Sequence, residues 1–301
     1  MSYREERKRA LIRYLKKTEK SYQMDGTHDH VLDMKFANAN VVQSVKNGLK
    51  YEIRKNEKGT ITSLSNGKHS FKLDWRANNL TSSSMLSACF FAYCTENQPF
   101  FKNWIVETFQ KEFGQIVSIK EDIKVELEWY DKEGDKSHID ALITFDADGK
   151  HYRIFVEVKY CEPAYGPKKS WVTRKMDEQQ KQEAQKEYIE SCKKCFDYHK
   201  KRLSLSGFMD GCDDDPKDYE QSKYCQRYQI IRNVSHASLG TNDYCWFLLA
   251  EGNKEAVKDI SDGLKDLCEQ NGKLCEKRVA IVYLEDLLKD IPDLYQKYFG
   301  K

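Results

Sequence analysis

The sequence contains no apolar run of about 18 residues or more, so a membrane-spanning helix is not expected. It also lacks an excess of charge of one sign. Fifty Lys and Arg stand against 48 Asp and Glu, a formal net charge of +2, so total charge does not announce a nucleic-acid partner. No internal repeat is present. The opening stretch MSYREERKRALIRYLKK has no apolar core of the kind a secretory signal carries. The ten cysteines lack the regular spacing of a disulfide framework. They are therefore expected to be reduced, in a cytoplasmic protein.

What is present suits a folded enzyme-sized chain. Its 301 residues allow one large domain or two smaller ones. Hydrophobic residues make up 40%, enough for a core, and charged residues 33%, so the surface is well solvated. Charge is uneven locally. Arg4, Arg7, Lys8, Arg9, Arg13, Lys16, Lys17 and Lys20 crowd the start, and Lys168, Lys169, Arg174 and Lys175 form a second basic stretch. Such runs are commonly solvated faces and are permissive for phosphate contact.

The patterning gives an element order. Residues 2–20 read as a basic amphipathic helix, and Val31 to Asn47 as another. Gly59 and Asn66–Gly67 separate the short runs of a β-meander. Two helices follow. One starts after the N-capping candidates Ser82–Ser84, and the other runs from near Pro99 to Gly114. Three strands come next: IVSIKEDIKVELEWY, with a bend expected in its middle, then SHIDALITFDADG, then HYRIFVEVKY. Helices are expected at Met176–Leu205, Tyr219–Leu239 and Lys254–Glu269, with buried strands at Tyr244–Ala250 and Lys277–Asp286. The sum is a mixed α/β core, assigned to residues 99–301, preceded by an α+β extension over residues 1–98.

The strand RIFVEVKY carries the chemistry. Alternation places Glu157 and Lys159 side by side at the end of an apolar run. The turn at Asp148–Gly149 returns the chain, so Asp140 on the preceding strand can approach both. Two carboxylates can hold a hard cation such as Mg²⁺, with the Val158 carbonyl as a further ligand. A neighbouring Lys can orient a water, take part in proton transfer or stabilise developing negative charge. The chemistry implied is phosphodiester hydrolysis.

With these residues, HIDALITF…FVEVKY resembles the core of the PD-(D/E)XK, or restriction-endonuclease-like, nuclease superfamily, over roughly residues 99–250. YQIIRN resembles the corresponding segment of a branch of uncharacterised bacterial proteins. The resemblance implies a central mixed β-sheet flanked by helices and Mg²⁺-dependent cleavage of DNA, with Mn²⁺ as a substitute. It implies Asp140 and Glu157 as metal ligands and Lys159 as the residue that positions and activates water. Ile139 stands where the superfamily's name has Pro. The resemblance further implies Glu107 in WIVETF as a candidate for the helix-borne carboxylate that joins the metal site in many members. It also implies Gln229, with Gln226 as its substitute, and Arg232 as candidates near metal or substrate phosphate. Lys168, Lys169, Arg174 and Lys175 are candidate phosphate contacts, which position a duplex without reading its sequence.

Other residue patterns are weaker. Cys192, Cys195 and His199 lie one to two turns apart on one helix, but an iron–sulfur cluster or Zn²⁺ site is disfavoured because the spacings match neither. His138 shares a strand face with Asp140 and is a candidate for substrate or water contact. Paired cuts on a duplex often need two active sites, so a homodimer is a candidate assembly. The alternatives are a non-catalytic DNA-binding protein on the same fold, an interaction protein whose strand-end charges form a structural ion pair, and RNA as substrate.

Overall fold

Ser2 caps the first helix by accepting the Glu5 amide, and α1 (Tyr3–Thr18) buries the apolar stripe Ala10, Leu11 and Leu15. The computed structural model describes residues 2–19, 21–74, 77–132, 137–164, 166, 168, 175–213 and 215–300. After α1 the expected second helix is replaced by a 3₁₀ turn at Met34–Asn40 and a π turn at Ser44–Gly48. Asn38 and Asn40 in this stretch favour caps and turns over a helix interior. The meander forms as β1 (Glu52–Lys55), β2 (Ile61–Ser65) and β3 (Ser70–Lys72), an antiparallel sheet of three.

Two helices follow: α2 (Ser83–Glu96), capped by the Ser82 hydroxyl, and α3 (Gln98–Phe113), closed by Gly114 in the left-handed region. The main sheet is built from β4 (Lys124–Tyr130), β5 (His138–Ala147), β6 (Lys150–Lys159), β7 (Asp243–Leu249) and β8 (Val279–Tyr283), in that spatial order. Pairing is antiparallel through β6 and parallel from β6 to β8. β4 is shorter than expected, since residues 116–123 join the sheet only through the bridge Ile119–Ala147. Asp148 and Gly149 both have positive φ, as the two-residue hairpin turn requires.

Between β6 and β7 lie α4 (Glu178–Lys200), α5 (Pro216–Gln221), α6 (Lys223–Gln226) and α7 (Tyr228–His236). The single helix expected over 219–239 is thus three, broken at Ser222, which caps α6, and at Arg227. α8 (Lys254–Arg278) runs past its expected end through a kink at Asn271. That kink brings the Cα atoms of Cys268 and Cys275 to 5.7 Å, and the two are disulfide-bonded, contrary to the expectation of ten reduced cysteines. α9 (Leu284–Leu288) and α10 (Pro292–Phe299) complete the chain.

The main sheet is covered on both faces. On one, Trp104 of α3 packs edge-on and Phe109 packs tilted against Trp246 of β7, in a cluster that runs from Leu11 to Tyr298. On the other, Cys245, Phe247 and Leu249 of the same strand pack under α4, α7 and α8. The architecture is the expected central mixed sheet flanked by helices, with a separate small antiparallel sheet. Among the described residues no helix is long and apolar enough to cross a membrane.

Candidate active site

The candidate site forms where β5 and β6 part. Their backbone pairing runs from Ala147–Lys150 to Ala141–Val156 and stops there. Extending the register puts Asp140 opposite Glu157 and His138 opposite Lys159. No longer paired with β5, the Val158 N–H donates to Asp140 Oδ2 at 2.7 Å. The sequence reading expected the Val158 carbonyl as a metal ligand; the group seen in contact with the site is its amide.

Glu157 is 2% exposed and is held by three donors. Lys159 Nζ reaches Oε1 at 2.7 Å, while Arg232 Nη2 and Asn233 Nδ2 of α7 reach Oε2 at 2.9 and 3.0 Å. Burial pushes the Glu157 carboxyl up, but Lys159 and Arg232 outweigh it and hold it below the usual range. Burial likewise works to lower the Lys159 ammonium, yet Glu157, Asp140 and Glu162 carry it above its ordinary value. Asp140 moves the other way. Burial and the Glu157 charge beside it push its carboxyl well up, with Lys159 only a partial offset.

A cavity of about 390 Å³ opens on these groups. Its lining includes Asp140, Glu157, Lys159, His138, Gln229 and Arg232. The opposite wall comes from the N-terminal part: Arg4, Asn79, Thr81 and Ser82–Ser84 at the start of α2. Gln229 also ties the loop after β6 to α7, since its Oε1 accepts the Gly166 N–H at 2.9 Å. Gln226 does not reach the cavity; it is exposed and donates to the Glu220 carbonyl.

Glu107 is not brought to this site, which corrects its assignment. It lies exposed on α3 beside Asn103, lining a different cleft with Asp286 and Asp290. The physical reason is the sheet itself. α3 covers the Trp246 face, whereas Glu157 and Lys159 are register partners of Phe247 and Leu249 on the other. Lys168 is also turned away. Its ammonium sits 4.6 Å from the centre of the Tyr228 ring and 3.6 Å from Cys195 Sγ. Lys175 is exposed and does not line the cavity, and Lys169 and Arg174 lie outside the described residues.

Sequence reasoning missed Glu128 and Asn233. Register continues from Leu127–Ala141 to Trp129–Ile139, which sets Glu128 opposite Asp140. Glu128 has φ +51°, in the left-handed region that a non-glycine residue seldom adopts. The strand turns over there. Leu127 belongs to the cluster under α2 and α3, whereas Trp129 packs on Phe155 and on His236 of α7. Glu128 lines the cavity, and burial with the Asp74 charge pushes its carboxyl up to about 7. The sequence reading expected a bend near the middle of residues 116–130, not at Glu128, and carried no signal for this turnover.

The donor set fits a hard divalent cation. It is all oxygen, and two neighbouring carboxylates repel each other where a cation would relieve them. Among the described residues no group of three or more His, Cys, Asp or Glu side chains is placed to hold a metal ion. A sequence model of the family described as restriction endonuclease associating with ARP matches residues 6–301. The chain belongs to this family. Neither a curated protein nor a solved structure matches it. Membership gives the mixed sheet a restriction-endonuclease-like fold, and the family match takes in the N-terminal part as well as the Asp140–Glu157–Lys159 region.

Proposed function

We propose that the chain is a metal-dependent nuclease that hydrolyses DNA phosphodiester bonds at Asp140, Glu157 and Lys159. The observation that carries this reading is the convergence of these three side chains in one cavity, in a member of a restriction-endonuclease family. Asp140 and Glu157 would hold Mg²⁺, or Mn²⁺ in its place. When bound, the metal polarises a phosphate oxygen and lowers the pKa of a bound water. Lys159 enters as an ammonium, since its carboxylate neighbours keep it protonated, and it stabilises charge that develops on the phosphate. Arg232 and Asn233 fix the Glu157 carboxylate, so its direction is set before substrate arrives. Arg232 and Gln229 line the cavity where a phosphate would lie. The family's description, association with ARP, makes an ARP protein a proposed partner.

One observation favours a second reading. All three donors on Glu157 also fit a purely structural ion network in a non-catalytic relative. The test is cleavage of linear, circular and single-stranded DNA and of matched RNA by the purified chain, in Mg²⁺ and in chelator. Metal-dependent cleavage of DNA supports the nuclease. Metal-independent DNA binding with no cleavage of any substrate supports the non-catalytic reading, and preferential cleavage of RNA moves the substrate.

A further inference from the structure

Three neighbouring strands contribute a carboxylate to one register row: Glu128 on β4, Asp140 on β5 and Glu157 on β6. They are not equivalent. Glu157 is occupied by Lys159, Arg232 and Asn233, and Asp140 takes the Val158 amide on one oxygen. Glu128 accepts no hydrogen bond among the described residues, yet it is partly buried in the same cavity. It faces crowding of its own sign from Asp74 and Glu157, against Lys72 and Arg232. Among the described residues, carboxylates outnumber cationic side chains in the lining. Asp74, Glu128, Asp140, Glu157 and Glu162 stand against Arg4, Lys159 and Arg232. Lys159 and Arg232 are both bonded to Glu157 and neither is bonded to Glu128.

Resting on the nuclease reading above, we propose that Glu128 is the third carboxylate of the cation site and holds a metal-bound water rather than the metal itself. The register selects that role. Neighbouring strands lie about 4.8 Å apart, so Glu128 starts two strand spacings from Glu157, with Asp140 between them. Mg²⁺ keeps several of its waters, and a carboxylate across the row from Asp140 is placed to accept a hydrogen bond from one of them. Glu128 thus takes the part that the resemblance implied for Glu107, which lines a different cleft. The turnover of β4 at Glu128 supplies a reason for its left-handed backbone, since it aims the side chain at the cavity and Trp129 into the core.

The test is Mn²⁺ binding to the full chain by titration calorimetry, without DNA, together with thermal unfolding in chelator. Glu128→Gln is expected to weaken Mn²⁺ binding by roughly 10- to 100-fold, the usual cost of losing a partner of this kind, and Glu128→Asp to recover part of it. Asp140→Asn is expected to abolish binding. In chelator the Tm of Glu128→Gln is expected to equal or exceed that of the parent, because a crowded charge is gone. Parent-like Mn²⁺ affinity in Glu128→Gln, with binding lost in Asp140→Asn, would overturn the role of Glu128 and leave the nuclease reading standing. A fall in Tm in chelator would mark Glu128 as structural and overturn it too. Absence of Mn²⁺ binding by the parent chain would overturn both.

Discussion

At the scale of single residues, the site is a set of charges that answer one another. Lys159 sits 2.7 Å from Glu157 and stays an ammonium, so in the metal-free chain it stands where a cation is wanted. Glu128 accepts no hydrogen bond among the described residues, and its carboxyl rises from 4.5 to about 7 through burial and the Asp74 charge, with Lys72 only a partial offset. The sign of the consequence is definite. Between those values the folded chain holds a proton that the unfolded chain has released, so metal-free stability falls as pH rises through this window. Urea unfolding at pH 5 and pH 7 in chelator is expected to show that fall in the parent and a smaller one in Glu128→Gln. Asp140, Glu157 and Lys159 were legible in the sequence because period-2 alternation and one tight turn fix which side chains can meet. Glu128 was not, because no residue pattern in KVELEWY announces a left-handed glutamate.

At the scale of elements, α7 does most to set the site. The expectation of one helix from Tyr219 to Leu239 obscured this, since Ser222 and Arg227 break the run and give α7 its own direction onto β6. Arg232 and Asn233 then arrive together on Glu157, both buried. Arg232→Ala is expected to cost about 3 kcal/mol, near the low end for breaking a buried pair because Lys159 and Asn233 remain. Denaturant unfolding measures it, and a cost below about 1 kcal/mol would show that solvent replaces the guanidinium. The failure over Glu107 has the same origin at this scale. The helical spacing of Trp104, Ile105 and Phe109 was read correctly, but spacing does not say which face of the sheet a helix covers. α8 shows a further limit, because the kink at Asn271 that joins Cys268 to Cys275 depends on backbone angles the sequence does not display.

At the scale of the whole molecule, the two ends of the chain meet and support the cavity wall. Lys297 of α10 is buried and donates to the Asn40 carbonyl and, at 3.1 Å, to Asn40 Oδ1. Asn40 in turn donates to the carbonyls of Ala77 and Asn79, next to the segment that forms the wall facing Asp140. Lys297→Ala leaves the Asn40 acceptors without their partner, at an expected cost of about 1–3 kcal/mol in urea unfolding. A change within about 0.5 kcal/mol would show the tie to be dispensable. The mixed sheet and its hairpin were legible because strand alternation and the Asp148–Gly149 turn are local signals. The closure of the N-terminal part over the site was not, since it depends on contacts across 257 residues. The most direct measurement is DNA cleavage in Mg²⁺ by the parent chain, Asp140→Asn and Lys159→Gln, each checked for folding by its Tm. The account expects cleavage by the parent, none in chelator, and a loss of roughly 100-fold or more in both variants. Cleavage that survives both substitutions, or a folded parent that cuts nothing in Mg²⁺ or Mn²⁺, would contradict it.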